Sequence, residues 1–567
     1  MNDTTLIVEG LSVAFGHQPV VRDLSFTLAP GRCVALVGES GSGKSVSARS
    51  LVGLAGARAQ VQARRLQFAG RDLLGLSERQ WRQVRGRDIG FVLQDALVSL
   101  DPLRQVGKEI LEVLDTHAHG RRDTRSAQVL QLLTRVGVPE PALRARQRPD
   151  QLSGGLRQRA LIAGALALDP ALVIADEPTT ALDATVQAQI LELFRQIKAR
   201  GAALLIISHD LAVVAQLADE VVVLRHGEVV EQGPTAQVLS SPAHPYTRAL
   251  LAAVPAEQPR GSRLSPGATA IATRRPPGEV LLQAEGLSKR YRGPDGQVQE
   301  VVSEVGFTLR AGQTLGIVGE SGSGKSTVAR LALGLLTPDS GAVTFLGRTW
   351  NSASEPIDES QRRPWRSQIG IVYQDPLGSF DPRWSVAQIL ADALEVAGIP
   401  ASERPARIAR LLKQVRLPEQ LAQRRPLQLS GGQRQRVAIA RAIAGEPRVI
   451  VCDEPVSALD VSVQAQVLDL LADLQDSLGL AYLFISHDLG VIRHVSDEVL
   501  VMRHGQVVER APAERLFAAP QHDYTRHLLG SVPRLPGSCA LLQAPPLDPL
   551  DEVLSLLDEA RLWKIAI

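Results

Sequence analysis

Two stretches of the chain, Gly38–Ser45 and Gly319–Ser326, have the pattern G-x-x-x-x-G-K-S. Each follows an apolar run that predicts a strand and precedes a run that predicts a helix. In this context the glycines let backbone N–H groups point at phosphate oxygens, the lysine adds positive charge, and the serine hydroxyl can bind Mg²⁺. We therefore predict two triphosphate-binding loops, with a ligand-free glycine-rich turn as the alternative for an isolated match. The predicted phosphate-binding residues are Gly38, Glu39, Ser40, Gly41, Ser42, Gly43, Lys44, Ser45, Gly319, Glu320, Ser321, Gly322, Ser323, Gly324, Lys325 and Ser326.

Two acidic residues follow a later apolar run in each half of the chain, as LVIADE and VIVCDE. Asp176 and Asp453, at the strand ends, could hold Mg²⁺ through water. The next residues, Glu177 and Glu454, are then placed to polarise the attacking water as general bases. An acidic cap on the following helix is the structural alternative.

Histidine and glutamine residues also stand at predicted strand ends. His209 and His487 lie in S-H-D triplets and could donate a hydrogen bond to the γ-phosphate, although packing or capping is the alternative. Gln94 and Gln374 end the FVLQ and IVYQ runs, and their neutral amides could bind Mg²⁺ or the attacking water. The predicted Mg²⁺ ligands are therefore Ser45, Gln94, Asp176, Ser326, Gln374 and Asp453.

A second candidate anion site follows in each half, where QLSGG begins at Gln151 and again at Gln428. A serine, two glycine N–H groups and a helix N-terminus can bind an anion. If each half holds one nucleotide, the economical interpretation is that this loop reaches the γ-phosphate of the other half, with two nucleotides sandwiched between the halves. A plain helix cap is the alternative. The residues of this prediction are Ser153, Gly154, Gly155, Ser430, Gly431, Gly432 and Gln433, with Leu156 in the first copy at the position of Gln433.

The elements that must position these residues occur twice in the same order. DLSFTLAPG matches EVGFTLRAG, and LLIISHDL matches YLFISHDL, so the chain consists of duplicated domains. The runs LVIAD and LLIIS are apolar without alternation, which is typical of parallel strands buried on both faces, and this predicts an α/β core. Residues 255–279 are rich in Pro, Gly, Ala and Arg and predict a mobile linker that lets the two halves face each other.

Composition narrows the class of protein. A chain of 567 residues with 44% hydrophobic residues favours several domains. Its 62 basic and 60 acidic residues do not favour general nucleic-acid binding. Three cysteines, Cys33, Cys452 and Cys539, of which the first two lie in apolar runs, favour reduced thiols in a reducing compartment. The start of the chain does not resemble a secretion signal, and no apolar run approaches the roughly 18 residues of a membrane span. We therefore predict an intracellular protein that acts on a membrane only through partners.

These motifs, with the turns 181–183 and 458–460 (both ALD), resemble the ATP-binding-cassette family over nearly all of residues 5–530. The resemblance implies ATP and Mg²⁺ as cofactors and two tandem P-loop NTPase domains, 1–254 and 280–532. Each would have a RecA-like core, a β-rich subdomain and a helical subdomain, the last at about 96–150 and 376–427, which would receive coupling helices of membrane subunits. It also implies that Phe15 and Tyr291 stack on adenine, although core packing is the alternative for Phe15.

A narrower resemblance lies at the end of each half, at about 233–254 and 511–532. AHPYTRALLAAVP and QHDYTRHLLGSVP resemble the C-terminal extension of ATPase subunits from dipeptide and oligopeptide importers, the second copy less closely. This resemblance implies peptide-type cargo, with non-peptide cargo such as nickel open. Some relatives carry an iron–sulfur site near this extension, but too few cysteines occur here and we predict none.

Leu156 implies a further relationship, since one of the two ATPase subunits of peptide importers has an apolar residue after LSGG. The chain would then be a fused heterodimer. Because Glu177 and Glu454 are both present, we expect both ATP sites to hydrolyse ATP.

The leading hypothesis is therefore the energy-coupling ATPase of a bacterial importer. It implies peripheral attachment to the cytoplasmic face of the inner membrane, two transmembrane permeases, and a periplasmic binding protein reached through them. The main alternative is a soluble tandem cassette protein acting on ribosomes or DNA, but the sequence lacks the long charged linker, zinc cysteines or coiled-coil insertion typical of those proteins. Exporters commonly carry their own spanning helices. The tail, 533–567, could form a short docking helix or frayed surface structure.

Overall fold

In a computed structural model, the description covers residues 5–117, 121, 123–180, 182–265, 276–292, 298–355 and 357–535. The predicted docking helix of the tail and Cys539 lie outside these residues, as do the middle of the linker and the first residue of the turn 181–183.

The first half alternates strands and helices after an initial β-rich region. Its strands are β1 (Leu6–Phe15), β2 (Gln18–Leu28), β3 (Cys33–Val37), β4 (Ala59–Gln62), β5 (Arg65–Phe68), β6 (Arg71–Asp72), β7 (Ile89–Val92), β8 (Leu172–Asp176), β9 (Ala203–Ile207), β10 (Glu220–Arg225) and β11 (Glu228–Pro234). Its helices are α1 (Lys44–Ser50), α2 (Glu78–Val84), α3 (Ala96–Ser99), α4 (Val106–Thr116), α5 (Arg125–Arg135), α6 (Pro141–Arg144), α7 (Gly154–Ala165), α8 (Ala184–Ala199), α9 (Leu211–Leu217), α10 (Thr235–Ser240) and α11 (Pro245–Ala252). Short 3₁₀ helices cover Pro149–Gln151 and Pro255–Glu257.

The second half repeats this order. Its strands are β12 (Val280–Arg292), β13 (Val298–Arg310), β14 (Thr314–Val318), β15 (Ser340–Phe345), β16 (Arg348–Ser352), β17 (Ile369–Val372), β18 (Val449–Asp453), β19 (Ala481–Ile485), β20 (Glu498–Arg503) and β21 (Gln506–Pro512). Its helices are α12 (Lys325–Ala332), α13 (Glu359–Arg362), α14 (Val386–Val396), α15 (Arg404–Gln414), α16 (Gly431–Ile443), α17 (Val461–Leu478), α18 (Leu489–Val495), α19 (Ala513–Ala518) and α20 (Asp523–Gly530). Its 3₁₀ helices are Arg363–Gln368, Glu419–Gln423 and Pro426–Gln428.

Each half is built on a six-stranded core sheet, in the order β11-β10-β3-β9-β8-β7 in the first half and β21-β20-β14-β19-β18-β17 in the second. The core strands pair in parallel except for the terminal pairs β10–β11 and β20–β21. The runs LVIAD and LLII form β8 and β9, and every residue in these strands is buried. Parallel strands covered on both faces exclude water from both sides, which explains their unbroken apolar sequence. The predicted α/β fold is confirmed.

Two further layers complete each half. A mainly antiparallel sheet, β2-β1-β5-β6 with β4 beside β1, accompanies the first core sheet, and β13-β12-β15-β16 accompanies the second. Helices α4 to α7 pack together as a helical cluster in the first half, and helices α14 to α16 do so in the second. Cys33 and Cys452 are buried free thiols, as predicted, and burial raises the pKa of the Cys33 thiol to about 12. Every helix in the described parts of the chain is too short or too polar to cross a bilayer.

The linker differs from its prediction over residues 255–265, which pack on the second half instead of moving freely. Leu264 is buried in the core of the second half. The buried Asp469 carboxylate on α17 accepts hydrogen bonds from the backbone N–H groups of Leu264 and Ser265, at 3.1 and 2.9 Å. A composition rich in Pro and Gly predicts flexibility. The prediction failed here because local composition carries no information about an acceptor some 200 residues later in the chain.

Replacing Asp469 with Ala is expected to release this segment. Each buried N–H left without an acceptor costs about 1–3 kcal/mol, so local opening should become roughly 5- to 150-fold more frequent. The measurement is limited trypsin digestion, with mass spectrometry of cleavage at Arg260 and Arg263. Asp476→Ala is the matched control, because this carboxylate is exposed on the same helix. Equal cleavage rates in the two variants would contradict the anchoring role of Asp469.

Candidate active site

The first phosphate loop joins β3 to α1 and curls around the ammonium group of Lys44. Its Nζ donates hydrogen bonds to the carbonyl oxygens of Gly38 and Glu39, at 2.7 Å each. Gly43, which precedes α1, has φ of 97°, and a Cβ there would lie 2.8 Å from the Val20 carbonyl oxygen. Only glycine allows this left-handed turn so close to a neighbouring strand. The predicted loop geometry is thus present.

The second phosphate loop, between β14 and α12, has the same geometry. Lys325 Nζ donates to the carbonyl oxygens of Gly319 and Glu320, again at 2.7 Å each. Burial lowers the pKa of both loop lysines, whereas nearby carboxylates, first among them Glu177 and Glu454, act in the opposite direction. The structure therefore places two equivalent buried cations where two triphosphates are predicted to bind.

A hydroxyl and a carboxylate meet beside each loop. Ser45 Oγ donates to Asp176 Oδ1 at 2.9 Å, and Ser326 Oγ donates to Asp453 Oδ1 at 3.2 Å. Asp176 Oδ2 is buried and accepts no hydrogen bond from the described residues, and burial raises the pKa of this carboxyl group. A buried carboxylate oxygen with free lone pairs beside a hydroxyl suits a hard cation such as Mg²⁺. These residues therefore fit the predicted metal site.

The predicted general bases have an unusual backbone conformation. Glu177 and Glu454, directly after β8 and β18, have φ of 49° and 50°. Left-handed backbone costs a non-glycine residue roughly 1–2 kcal/mol, and such strain is concentrated at functional sites. Sequence reasoning missed this feature, because nothing in the letters DEP indicates it.

Glutamine and histidine side chains converge on each of these glutamates. In the first half, Gln94 Nε2 donates to Glu177 Oε2 at 2.9 Å, and His209 Nδ1 lies 3.3 Å from Glu177 Oε1. The parallel pairing of β8 with β9 explains the meeting, since Glu177 and His209 follow the carboxyl ends of these adjacent strands. An amide binds a metal through its oxygen, and the bond to Glu177 uses only the amide nitrogen of Gln94.

The second half contains the same constellation. Gln374 Nε2 donates to Glu454 Oε2 at 2.7 Å, and His487 Nδ1 lies 3.1 Å from the same oxygen. The structure therefore brings together the glutamine, glutamate and histidine that the sequence predicted in each half.

The histidine–glutamate pairs favour the ionised carboxylate. Burial lowers the pKa of His209, but its hydrogen bond with Glu177 and the charge of that residue outweigh burial and raise the pKa overall. Burial raises the pKa of Glu177, but His209 and the charge of Lys44 outweigh it, so this pKa lies below its ordinary value. The second pair shifts in the same directions. A general base must be unprotonated at working pH, and these environments keep it so.

The two halves touch at the phosphate loops. The backbone N–H of Ser40 donates to Asp460 Oδ2 of the other half at 3.2 Å. Ser462 Oγ donates to Glu39 Oε1 at 2.6 Å. Each phosphate loop therefore lies at the boundary between the halves.

The reciprocal contacts are equivalent. Ser321 N donates to Asp183 Oδ2 at 3.2 Å, and Thr185 Oγ1 donates to Glu320 Oε1 at 2.9 Å. Sequence reasoning identified the ALD turns but missed this contact. The only local signal of this contact is an aspartate before a helical run. That signal predicts a helix cap, which Asp183 Oδ1 forms by accepting from Val186 N. It does not predict the contact that Asp183 Oδ2 makes with the other half.

The LSGG segments begin α7 and α16 and lie next to these turns. Ser153 caps α7 by accepting a hydrogen bond from Leu156 N at 3.4 Å. A Cβ on Gly155 would lie 2.6 Å from Val186 Cγ1, so this glycine permits close packing of α7 against α8. Ser153 therefore caps α7, as the alternative interpretation of LSGG predicted. Contact of the loop with a γ-phosphate of the other half stays a prediction.

The two aromatic residues predicted to stack on adenine are partly exposed. Phe15, at the end of β1, is 36% exposed, and Tyr291, near the end of β12, is 39% exposed. Neither residue belongs to the buried core, and stacking on adenine stays a prediction.

Replacing Asp460 with Asn is expected to weaken closure around the first phosphate loop. The amide keeps one oxygen to cap α17 but replaces the charged acceptor that faces Ser40 N. Hydrogen bonds to charged groups contribute about 1.5–3 kcal/mol, so kcat/KM for ATP should fall roughly 10- to 150-fold. Asp358→Asn is the matched control, since Asp358 is an exposed carboxylate that caps α13 by accepting a hydrogen bond from Gln361 N of its own half. Equal kcat/KM values for the two variants would contradict the closure role.

Two family models match the chain. The ABC transporter model matches residues 21–180 and 302–457, and the model described as oligopeptide/dipeptide transporter, C-terminal region, matches residues 230–279 and 508–549.

Curated relatives match along most of the chain. It is 46% identical over 542 residues to the peptidoglycan transport ATP-binding protein YejF of Agrobacterium fabrum, covering 93% of this chain and 96% of that protein. It is 43% identical over 561 residues to the glutathione import ATP-binding protein GsiA of Escherichia coli K12, covering 93% of this chain and 89% of that protein. Among solved structures, the dimeric structure of MJ0796, a bacterial ABC transporter cassette, is 28% identical with a TM-score of 0.37, covering 41% of this chain and 99% of that one.

The chain therefore belongs to the ABC transporter family. It is an ATPase that carries two ATP-binding cassettes in one polypeptide, and its site residues occur in matched pairs around two phosphate loops.

Proposed function

We propose that this ATPase drives the import of a peptide-class cargo, such as glutathione or peptide fragments of cell-wall material. The observation that supports this cargo class most directly is the C-terminal region of oligopeptide and dipeptide transporters, which matches at the end of both halves. The printed functions of the two relatives agree with it, because glutathione is a tripeptide and peptidoglycan contains short peptides.

In the proposed reaction, the N–H groups of each phosphate loop and its lysine bind the triphosphate of ATP. Glu177 and Glu454 accept a proton from the attacking water, while His209 and His487 orient these carboxylates and donate to the γ-phosphate. Ser45 and Asp176, with Gln94, would hold Mg²⁺ in the first half, and Ser326, Asp453 and Gln374 in the second. When bound, Mg²⁺ supplies charge neutralisation for the phosphate oxygens.

We propose that the boundary between the halves couples the chemistry to motion. The Asp183 and Asp460 contacts join each half to the phosphate loop of the other. In this proposal ATP binds more tightly to this closed arrangement than to an open one, and so favours closure. We propose that Ser153 and Ser430, with their following glycines, complete each site across this boundary. Hydrolysis and phosphate release then remove the ligand that favours closure, and the halves separate. Both sites hydrolyse ATP in this proposal.

The motion acts on partners. We propose two transmembrane permeases, contacted through the helical clusters that follow Gln94 and Gln374, and a periplasmic binding protein that delivers cargo to them. The chain then works peripherally at the cytoplasmic face of the inner membrane. Nucleic acid is not among the proposed partners.

Purification of the tagged chain from membranes in mild detergent tests the partners. Two multi-spanning permeases should be recovered together with the chain. The reconstituted complex with its binding protein should take up labelled glutathione or a labelled tripeptide in the presence of ATP and Mg²⁺. The Glu177→Gln/Glu454→Gln double variant serves as the control that assembles without uptake. Recovery of ribosomal or DNA-repair proteins without permeases would contradict the transport proposal, and uptake of nickel alone would contradict the peptide class.

A further inference from the structure

The C-terminal extension contacts the phosphate loop in each half. The hydroxyl oxygen of Tyr246, on α11, accepts a hydrogen bond from the backbone N–H of Glu39 at 3.1 Å. The hydroxyl oxygen of Tyr524, on α20, accepts the equivalent bond from Glu320 N at 3.2 Å. Both tyrosines are buried. The segment that marks the cargo class is thus bonded directly to the part of the chain that is to bind ATP.

Neighbouring groups hold the first of these tyrosines in place. His244 Nδ1 accepts a hydrogen bond from Tyr246 N at 3.1 Å and so caps α11. The Glu231 carboxylate, on β11, accepts from the backbone N–H groups of Ala243 and His244, at 2.7 and 3.2 Å. The Arg225 guanidinium lies 4.9 Å from the centre of the Tyr246 ring. These contacts already restrict the motion of the ring, so little conformational entropy is lost when its hydroxyl supports the loop.

The second tyrosine is held by the equivalent groups. His522 Nδ1 accepts from Tyr524 N at 3.1 Å, the Glu509 carboxylate accepts from Gln521 N and His522 N at 2.9 and 3.0 Å, and Arg503 lies 4.9 Å from the ring centre. The arrangement is preserved although the second extension has Asp523 where the first has Pro245.

Glu39 connects three parts of the molecule. Its N–H bonds to the extension, its carbonyl oxygen to Lys44, and its carboxylate to Ser462 of the other half. Displacement of the tyrosine oxygen would therefore disturb both the curl of the loop and its contact across the boundary.

We propose that Tyr246 and Tyr524 are positioning residues that hold the first residues of each phosphate loop ready for ATP. The C-terminal extension is then a structural part of each ATPase site as well as a marker of the transporter class. This inference rests on the proposed role of the two loops as the ATP sites. Because bound phosphates hold the loop by themselves, the tyrosines act mainly before and during ATP binding.

The test is the Tyr246→Phe/Tyr524→Phe double variant of the full chain, which removes both hydroxyl oxygens and keeps the rings. The apparent KM for ATP should rise about three- to tenfold, as expected for the loss of one supporting hydrogen bond per loop, while kcat changes less than about twofold. Equilibrium binding of a fluorescent ATP analogue should weaken by a similar factor. The single variants should give smaller shifts in the same direction.

Tyr482→Phe is the matched control. Tyr482 is a buried tyrosine on β19 whose hydroxyl donates to the Leu471 carbonyl oxygen at 2.9 Å, away from both loops. The Tyr482→Phe variant should have a lower Tm and an unchanged KM for ATP. An unchanged KM in the double variant, or a loss of kcat and Tm alone, would overturn the inference. If the two loops were not the ATP sites, the observation would be different: ATP hydrolysis would survive in the Lys44→Ala/Lys325→Ala double variant.

Discussion

Replacing Glu177 and Glu454 together with Gln is expected to lower the kcat of ATP hydrolysis by about 10²–10⁴-fold, the usual contribution of a positioned general base. The amide keeps the size of the side chain and can still meet Gln94 and His209, but it cannot accept the proton of the attacking water. ATP should bind with nearly unchanged affinity, since neither carboxylate belongs to the phosphate loops. Phosphate release in single-turnover and steady-state assays measures both quantities.

The single variants distinguish two working sites from one. If both sites hydrolyse ATP, Glu177→Gln and Glu454→Gln should each reduce turnover, with the larger loss identifying the more active site. Glu192→Gln, an exposed carboxylate on α8, is the matched control and should keep full activity. Full activity in both single variants would contradict the general-base assignment, and a loss confined to one of them would limit hydrolysis to that site.

Replacing Lys44 and Lys325 together with Ala is expected to weaken ATP binding by roughly 30- to 4,000-fold. Each ammonium group is buried and closes its loop by bonding two carbonyl oxygens. Its removal takes away the positive charge nearest the predicted phosphates and one hydrogen-bond donor from each of those carbonyl oxygens. The carbonyl oxygens of Glu39 and Glu320 keep only the backbone N–H groups of Ser42 and Ser323. Truncating one partner of a buried charge pair costs about 2–5 kcal/mol, which corresponds to that range. Isothermal titration with ATP and Mg²⁺ measures the affinity directly.

Lys198→Ala is the control for this variant. Lys198 pairs with Asp219 at 2.7 Å, at the end of α8 opposite the phosphate loop, and its loss should leave ATP affinity within about twofold. Matching thermal unfolding curves would exclude general misfolding of the double lysine variant. Wild-type affinity in that variant would contradict the location of the ATP sites.

Much of the site could be predicted because its motifs are short and local. The curl around Lys44 needs only nearby glycines after a strand and before a helix, and eight consecutive letters contain that information. Glu177 and His209 could each be placed at a strand end in advance because each follows an unbroken apolar run. Parallel strands bring such ends to the same edge of a sheet, but the contact between the two side chains was not predicted. Because the domain is duplicated, each motif occurs in both halves and supports the same prediction twice.

Prediction was less complete where a local pattern admits two structures. The letters LSGG predict both an anion site and a helix cap, and Gly155 also turned out to serve the packing of α7 against Val186. The linker was wrongly expected to be mobile over residues 255–265, because flexible composition is also compatible with an extended segment bound to Asp469.

The sequence by itself determined the class of the protein, the duplicated α/β fold and the residues at each phosphate loop, because these depend on neighbours within one motif or on burial periodicity. Only the tertiary structure decided what Glu39 touches, since Tyr246 and Ser462 lie 207 and 423 residues away along the chain. Such contacts depend on how the sheets, the extensions and the two halves pack. The sequence around either residue of a contact does not indicate the other residue. The left-handed backbone of Glu177 was decided in the same way, because the surrounding fold must hold a conformation that the residue itself disfavours.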